Sequence, residues 1–131
     1  MKIIGKNLIC RKATFADIKI YYRWANDPEV RKNSLNTKII SWATHKSWFQ
    51  KKLKNKNSVL YIFKKNNNTL GQVRFDKAKQ NVKISYSIDR KFRRKGYGSK
   101  ILIQAIKKYK SKFKITLVAI VKLKNIGSIK I

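Results

Sequence analysis

Between Arg93 and Ser99 the chain reads Arg-Arg-Lys-Gly-Tyr-Gly-Ser, three cations followed by two glycines one residue apart. Gly96 and Gly98 carry no Cβ, so backbone there can approach an anion closely and take dihedrals closed to other residues. If a helix opens at this point, its first N–H groups lack intrahelical partners and its N-terminus carries partial positive charge, a ready site for pyrophosphate. Arg93, Arg94 and Lys95 add full charges, and the arginine fork suits phosphate oxygens. The pattern lacks the third glycine and distant acid of a dinucleotide fingerprint, and no Gly-Lys-Ser/Thr of a P-loop follows.

The flanking segments predict the elements that must position this turn. Asn81 to Ile88 is strand-like, and Gly98 to Tyr109 places Ile101, Leu102, Ala105, Ile106 and Tyr109 on one helical face. Upstream, Lys6 to Lys12 reads as a strand, and Thr14 with Asp17 resembles a capping box for a helix to about Trp24, stopped by Asn26-Asp27-Pro28. Ser41 can cap a second helix whose Trp42, His45, Trp48 and Phe49 share a face. Ser58 to Lys64 and Leu70 to Asp76 form a hairpin across Asn66-Asn67-Asn68, and Ile115 to Val121 is a further strand, with a helix beginning at Asn125. Gln72 and Arg74 could face a cleft, but a period of two does not say which face is inward.

The spacing Arg93-x-x-Gly96-x-Gly98, between a strand and a helix, resembles the acetyl-CoA motif of the GCN5-related N-acetyltransferase (GNAT) superfamily. The segments Trp24 to Ser34 and Ile40 to Leu53 resemble the branch that acetylates nucleotide-linked amino sugars in pseudaminic-acid-type pathways, near relatives of the ribosomal-protein N-terminal acetyltransferases. The resemblance implies an α/β (α+β) fold with a central mixed, mostly antiparallel sheet flanked by helices. It implies acetyl-CoA as co-substrate, with backbone near Ile88 meeting the pantetheine arm, the turn Arg93, Arg94, Lys95, Gly96, Tyr97, Gly98, Ser99 holding the pyrophosphate, and Asn125 touching the CoA arm. A plain helix N-cap is an equal reading of Asn125. In the family a terminal helix and usually two more strands follow, whereas this sequence stops at Ile131, so a single, C-terminally truncated domain lacking the last strands is expected over 1–131. The family's proton-donating tyrosine, a few residues beyond the Asn125 segment, has no counterpart.

Acetyl transfer to an amine needs a neutral nitrogen, an oriented thioester and a stabilised oxyanion. Where many family members place a strand glutamate as base, this chain has Lys83, leaving His45, Asp27 and Glu29 as candidates. His45 is the one side chain that titrates unperturbed near neutrality, but it reads equally as a ring packed between Trp42 and Trp48 on a backbone carbonyl. The amino-sugar branch implies a third role, with His45 and Arg31 lining the nucleotide pocket; Arg31 otherwise reads as a solvated loop cation.

The formal net charge is +29, from 34 Lys+Arg against 5 Asp+Glu. Such a field steers nucleotides, CoA or nucleic acid, so ordinary anionic ligands with compositional drift compete with a nucleic-acid or ribosome surface. No apolar run approaches the roughly 20 residues of a membrane span, and no signal peptide is evident, which makes the cytoplasm the expected compartment. One cysteine, Cys10, and one histidine exclude a disulfide and argue against bound zinc. Three functions follow: acetylation of the 4-amino group of a UDP-linked deoxy-amino sugar, N-terminal acetylation of a ribosomal or similar partner, or a catalytically silent CoA-fold module that binds polyanions.

Overall fold

The computed structural model describes residues 2–4, 8–79 and 81–112. Strands β1 (Lys2–Ile4), β2 (Leu8–Lys12), β3 (Ser58–Lys65), β4 (Asn68–Ala78) and β5 (Asn81–Ile88) form a sheet in the order β1-β2-β3-β4-β5, every pair antiparallel. Helices α1 (Ile18–Ala25), α2 (Pro28–Lys32) and α3 (Trp42–Lys54) lie between β2 and β3 in sequence, and α4 (Tyr97–Lys112) follows β5. The expected strand at Ile115 to Val121 and the Asn125 segment lie outside the described residues.

The continuous run Val59-Leu60-Tyr61-Ile62-Phe63 in β3 explains the layering. All five side chains are buried, as expected of a strand covered on both faces. Val59, Tyr61 and Phe63 join Val73, Phe75, Val82 and Ile84 against Ile101, Leu102, Ala105 and Tyr109 of α4. Leu60 and Ile62 point the other way, into Ile18, Tyr21 and Trp24 of α1 and Phe49 of α3. Across the first interface Phe75 and Tyr109 stack with ring centroids 4.1 Å apart.

Local signals account for the element ends. The Asp17 carboxylate accepts from Thr14 N at 2.8 Å and is gripped by both terminal nitrogens of Arg11 at 2.8 Å, so the cap is also a tether to β2. Ser41 Oγ accepts from Thr44 N at 3.2 Å and opens α3. Asn66, at φ +57°, turns the β3–β4 hairpin. Asn26-Asp27-Pro28 ends α1 as expected, but it also starts α2: Asp27 accepts from Glu29 N at 2.9 Å, and proline fits the first helical position because it has no N–H to satisfy. That second helix is not apparent in the sequence, since five polar-rich residues carry no periodicity.

Candidate functional site

The turn after β5 is built around a buried acid. Asp89, 4% exposed, accepts from Trp24 Nε1 at 2.8 Å and from Lys91 N at 3.1 Å, and pairs with Arg23, so it pins the end of α1 to the loop. Burial pushes its carboxyl up, but the donors from Trp24, Lys91 and Arg23 outweigh this and hold it below the usual range. Beyond it, Arg94 and Gly96 adopt left-handed φ values of +61° and +82°, and α4 begins at Tyr97. A Cβ at Gly96 would meet nothing within 4 Å, so the space beside this backbone is open. One at Gly98 would lie 3.4 Å from Cε2 of Tyr86, in ordinary contact. Arg94, Lys95 and Ser99 are exposed around this opening.

Arg93 has a different place from the one expected. Its Nε donates to the Ile88 carbonyl at 3.0 Å, and its Nη1 lies 3.0 Å from Asp27 and 2.9 Å from Glu29. The guanidinium therefore clamps α2 to the loop, while Arg94 and Lys95 stay exposed beside Gly96. The Ile88 carbonyl is likewise occupied by Arg93. Tyr97 accepts a hydrogen bond from Lys65, whose ammonium also sits 5.1 Å from the ring centroid. That bond, with the nearby lysine charges, draws the phenol below its ordinary pKa.

Two cavities meet at β5. One, of about 390 Å³, runs beside Ile88, Phe92, Arg93, Arg94, Gly96, Tyr97 and Gly98. The other, of about 380 Å³, is enclosed by α1, α3, the loop after α2 and the sheet, with Arg31, His45, Trp48, Gln72, Arg74 and Ser85 in its wall. Val30, Asn33, Tyr86 and Ser87 border both. Among the described residues β5 pairs only with β4.

The second cavity has no carboxylate in its wall. All five acids of the chain are engaged elsewhere: Asp17 with Arg11, Asp27 with Arg90 and Arg93, Glu29 with Arg93, Asp76 with Lys52 and Arg74, and Asp89 with Arg23. Burial raises the Asp27 carboxyl, but hydrogen bonds from Arg93 and Glu29 N and the charges of Arg93 and Arg90 hold it low. Neither Asp27 nor Glu29 is thus a free base. Arg31 donates through Nη1 to the carbonyls of Asn36 at 2.9 Å and Lys38 at 3.2 Å and through Nη2 to Ser34 Oγ at 3.1 Å, which leaves only Nε unpartnered. It organises the pocket loop, in place of the solvated loop cation that the sequence also allowed, and lines the second cavity.

His45 is 1% exposed, and its Nε2–H donates to the Ile18 carbonyl at 2.9 Å. The ring stacks on Phe49 with centroids 5.7 Å apart and touches Tyr22, Trp42 and Trp48. Burial lowers its pKa, partly opposed by the carbonyl bond, which favours the neutral ring with its Nε2 proton committed to Ile18. The packed ring on a backbone carbonyl, one of its expected places, is thus observed, and the ring also lines the second cavity. Because the unfolded ring protonates near pH 6.5 and the folded ring only at lower pH, stability is undiminished above about pH 6.5 and falls as pH drops below it. Chemical denaturation between pH 7 and 5 should show this slope, and His45→Gln should flatten it.

Ser85 and Ser87 carry no sequence signal, because an isolated serine in a strand looks like any half-buried position. Their roles come from register: Gln72 lies opposite Ser87 and Arg74 opposite Ser85, placing two polar pairs side by side on the face toward α1 and α3.

The family model of the acetyltransferase (GNAT) domain matches residues 7–131, and the chain belongs to this family. Its fold is similar to that of the ribosomal L7/L12 α-N-protein acetyltransferase RimL in complex with coenzyme A, with a TM-score of 0.70, 15% identity and coverage of 86% of this chain and 68% of that one. An N-acetyltransferase from Staphylococcus aureus Mu50 is similar at TM-score 0.68 and 23% identity, over 82% of this chain and 68% of that one. The spermidine N-acetyltransferase of Vibrio cholerae, in complex with CoA and spermine, is similar at TM-score 0.66 and 12% identity over 77% of this chain, which spans 62% of its length. No curated protein matches in sequence. No helix among the described residues is long and apolar enough to cross a membrane, and no group of residues there could hold a metal ion.

Proposed function

We propose that this protein is an acetyl-CoA-dependent N-acetyltransferase whose acceptor is the 4-amino group of a UDP-linked deoxy-amino sugar. Family membership supports the reaction class. The observation that carries the acceptor is the meeting, at Tyr86 and Ser87, of the loop cavity with a second pocket that contains Arg31 and Arg74 and no carboxylate. A polycationic acceptor would enter that pocket against like charge, whereas a nucleotide diphosphate would be attracted.

The residues fit acetyl-CoA as follows. The open backbone at Gly96, the N-terminus of α4, Arg94 and Lys95 would hold the pyrophosphate, and the end of β5 that lines the loop cavity would meet the pantetheine arm. Acetyl-CoA supplies an activated acetyl thioester. The acceptor nitrogen attacks the thioester carbonyl, so a C–N bond forms and the C–S bond breaks, and the proton lost from nitrogen balances the one gained by the thiolate. Only the neutral amine is nucleophilic, and like charges around the pocket favour that form by disfavouring ammonium. The pocket's own field can therefore take over part of the work of a carboxylate base in a chain whose acids are all ion-paired.

The test is the intact mass of a UDP-linked 4-amino sugar incubated with acetyl-CoA and the protein, with thiol release followed in parallel and spermidine as the comparison. A gain of one acetyl group on the sugar, with at least about tenfold lower kcat/KM on spermidine, is expected. Preference for spermidine would overturn the acceptor assignment. Acetylation of ribosomal-protein N-terminal peptides in place of either would favour the second reading, for which the +29 charge supplies an attraction to RNA.

A further inference from the structure

We infer that Gln72, held by Ser87, receives the reacting amine, its carboxamide oxygen accepting an N–H of the acceptor; this rests on the acetyl-transfer reading above. Gln72 on β4 and Ser87 on β5 are directly opposed in the ladder, and Gln72 Nε2 donates to Ser87 Oγ at 3.1 Å. That bond fixes the amide and leaves Oε1 buried without a hydrogen-bond partner. A buried acceptor left unmade is unfavourable unless something donates to it, and in a pocket wall that donor is a ligand. Gln72 lines the carboxylate-free pocket, and its hydrogen-bond partner Ser87 borders both cavities, so the amide is one hydrogen bond from the wall the cavities share.

The other buried unpartnered atoms sharpen the assignment. Tyr61 Oη belongs to a core residue, but Arg31 Nε lines the same pocket as Gln72. Neither Arg31 nor Gln72 lines the loop cavity. The pocket thus offers both an unpaired acceptor and an unpaired cationic donor. A molecule that carries both an amine and an anionic group satisfies both. Arg74, held by Asp76 at 2.8 Å and Ser85 at 3.3 Å, with its guanidinium 5.0 Å from the centre of the Trp48 ring, walls the space between without competing for Gln72.

The experiment compares wild type with Gln72→Met, which keeps length but loses the acceptor, and Gln72→Glu, which keeps an oxygen in place. Two amines serve as probes, the UDP-linked 4-amino sugar and glycinamide, which has no phosphate; CoA affinity is measured by calorimetry in each variant. Gln72→Met should lose about tenfold to a hundredfold in kcat/KM for every amine the wild type acetylates, at unchanged CoA affinity, and Gln72→Glu should recover most of it. Wild-type kcat/KM in Gln72→Met, or CoA affinity lost along with turnover, would overturn the inference. If wild type acetylates glycinamide but not the sugar, the sugar assignment fails and Gln72 is judged on glycinamide. Acetylation of neither amine by protein that binds CoA would overturn both.

Discussion

Gly96→Asp should weaken CoA binding by about a hundredfold or more, equivalent to roughly 3 kcal/mol, measured by calorimetry with CoA. The substitution places a carboxylate where the open backbone, the α4 N-terminus, Arg94 and Lys95 are proposed to receive pyrophosphate. Two effects must be separated. Gly96 sits at φ +82°, so any L residue there is strained, by about 1–2 kcal/mol. A Cβ meets no protein atom within 4 Å, so steric conflict with the fold adds nothing. Gly96→Ala therefore reports the strain alone: a modest loss of stability with CoA affinity within a few fold of wild type. If Gly96→Asp binds CoA like wild type, the phosphate is held elsewhere.

The largest effect on folding is expected at Gly71. A Cβ built there would lie 2.4 Å from the Ser87 carbonyl oxygen, 3.1 Å from Cδ1 of Ile88 and 3.3 Å from Cδ1 of Ile101. The first of these is backbone, so no side-chain rotation relieves it. Gly71 pairs with Ile88 across the β4–β5 ladder and with Phe63 across β3–β4, beside an irregularity at Phe63 and Lys64. Admitting a methyl group must part strands on which both cavities depend. Gly71→Ala should cost about 3 kcal/mol or more, or yield no soluble protein, and urea denaturation would measure it. Retained stability within about 1 kcal/mol would mean the two strands can separate far more readily than their packing indicates.

These two glycines divide the molecule between what was legible in advance and what was not. Gly96 stands out in sequence, since glycines one residue apart after three cations, between a strand and a helix, form a local pattern. Gly71 carries no such pattern, because its reason is a carbonyl on a neighbouring strand sixteen positions away. The same division runs through the charged residues. Ser41 and Asp17 act on their own helix starts and were readable from spacing. Arg93 reads as a phosphate ligand by its neighbours, yet its partners Asp27 and Glu29 lie more than sixty positions upstream, and those contacts occupy the group.

By itself, then, the sequence determined the glycine turn between strand and helix, the amphipathic face of α4 and the hairpin. Each follows from dihedral freedom, capping or periodicity within a dozen residues. Tertiary structure decided that Gln72 and Arg74 face the pocket, since strand alternation defines two faces and only packing of α1, α3 and α4 chooses between them. It decided that His45 is a buried neutral ring bonded to Ile18, because desolvation depends on what surrounds an imidazole rather than on its position in a helix. It also decided that all five carboxylates are held in ion pairs. Their scarcity is visible in composition, but the cationic, acid-free character of the pocket arises only when the fold assigns each acid to a partner elsewhere.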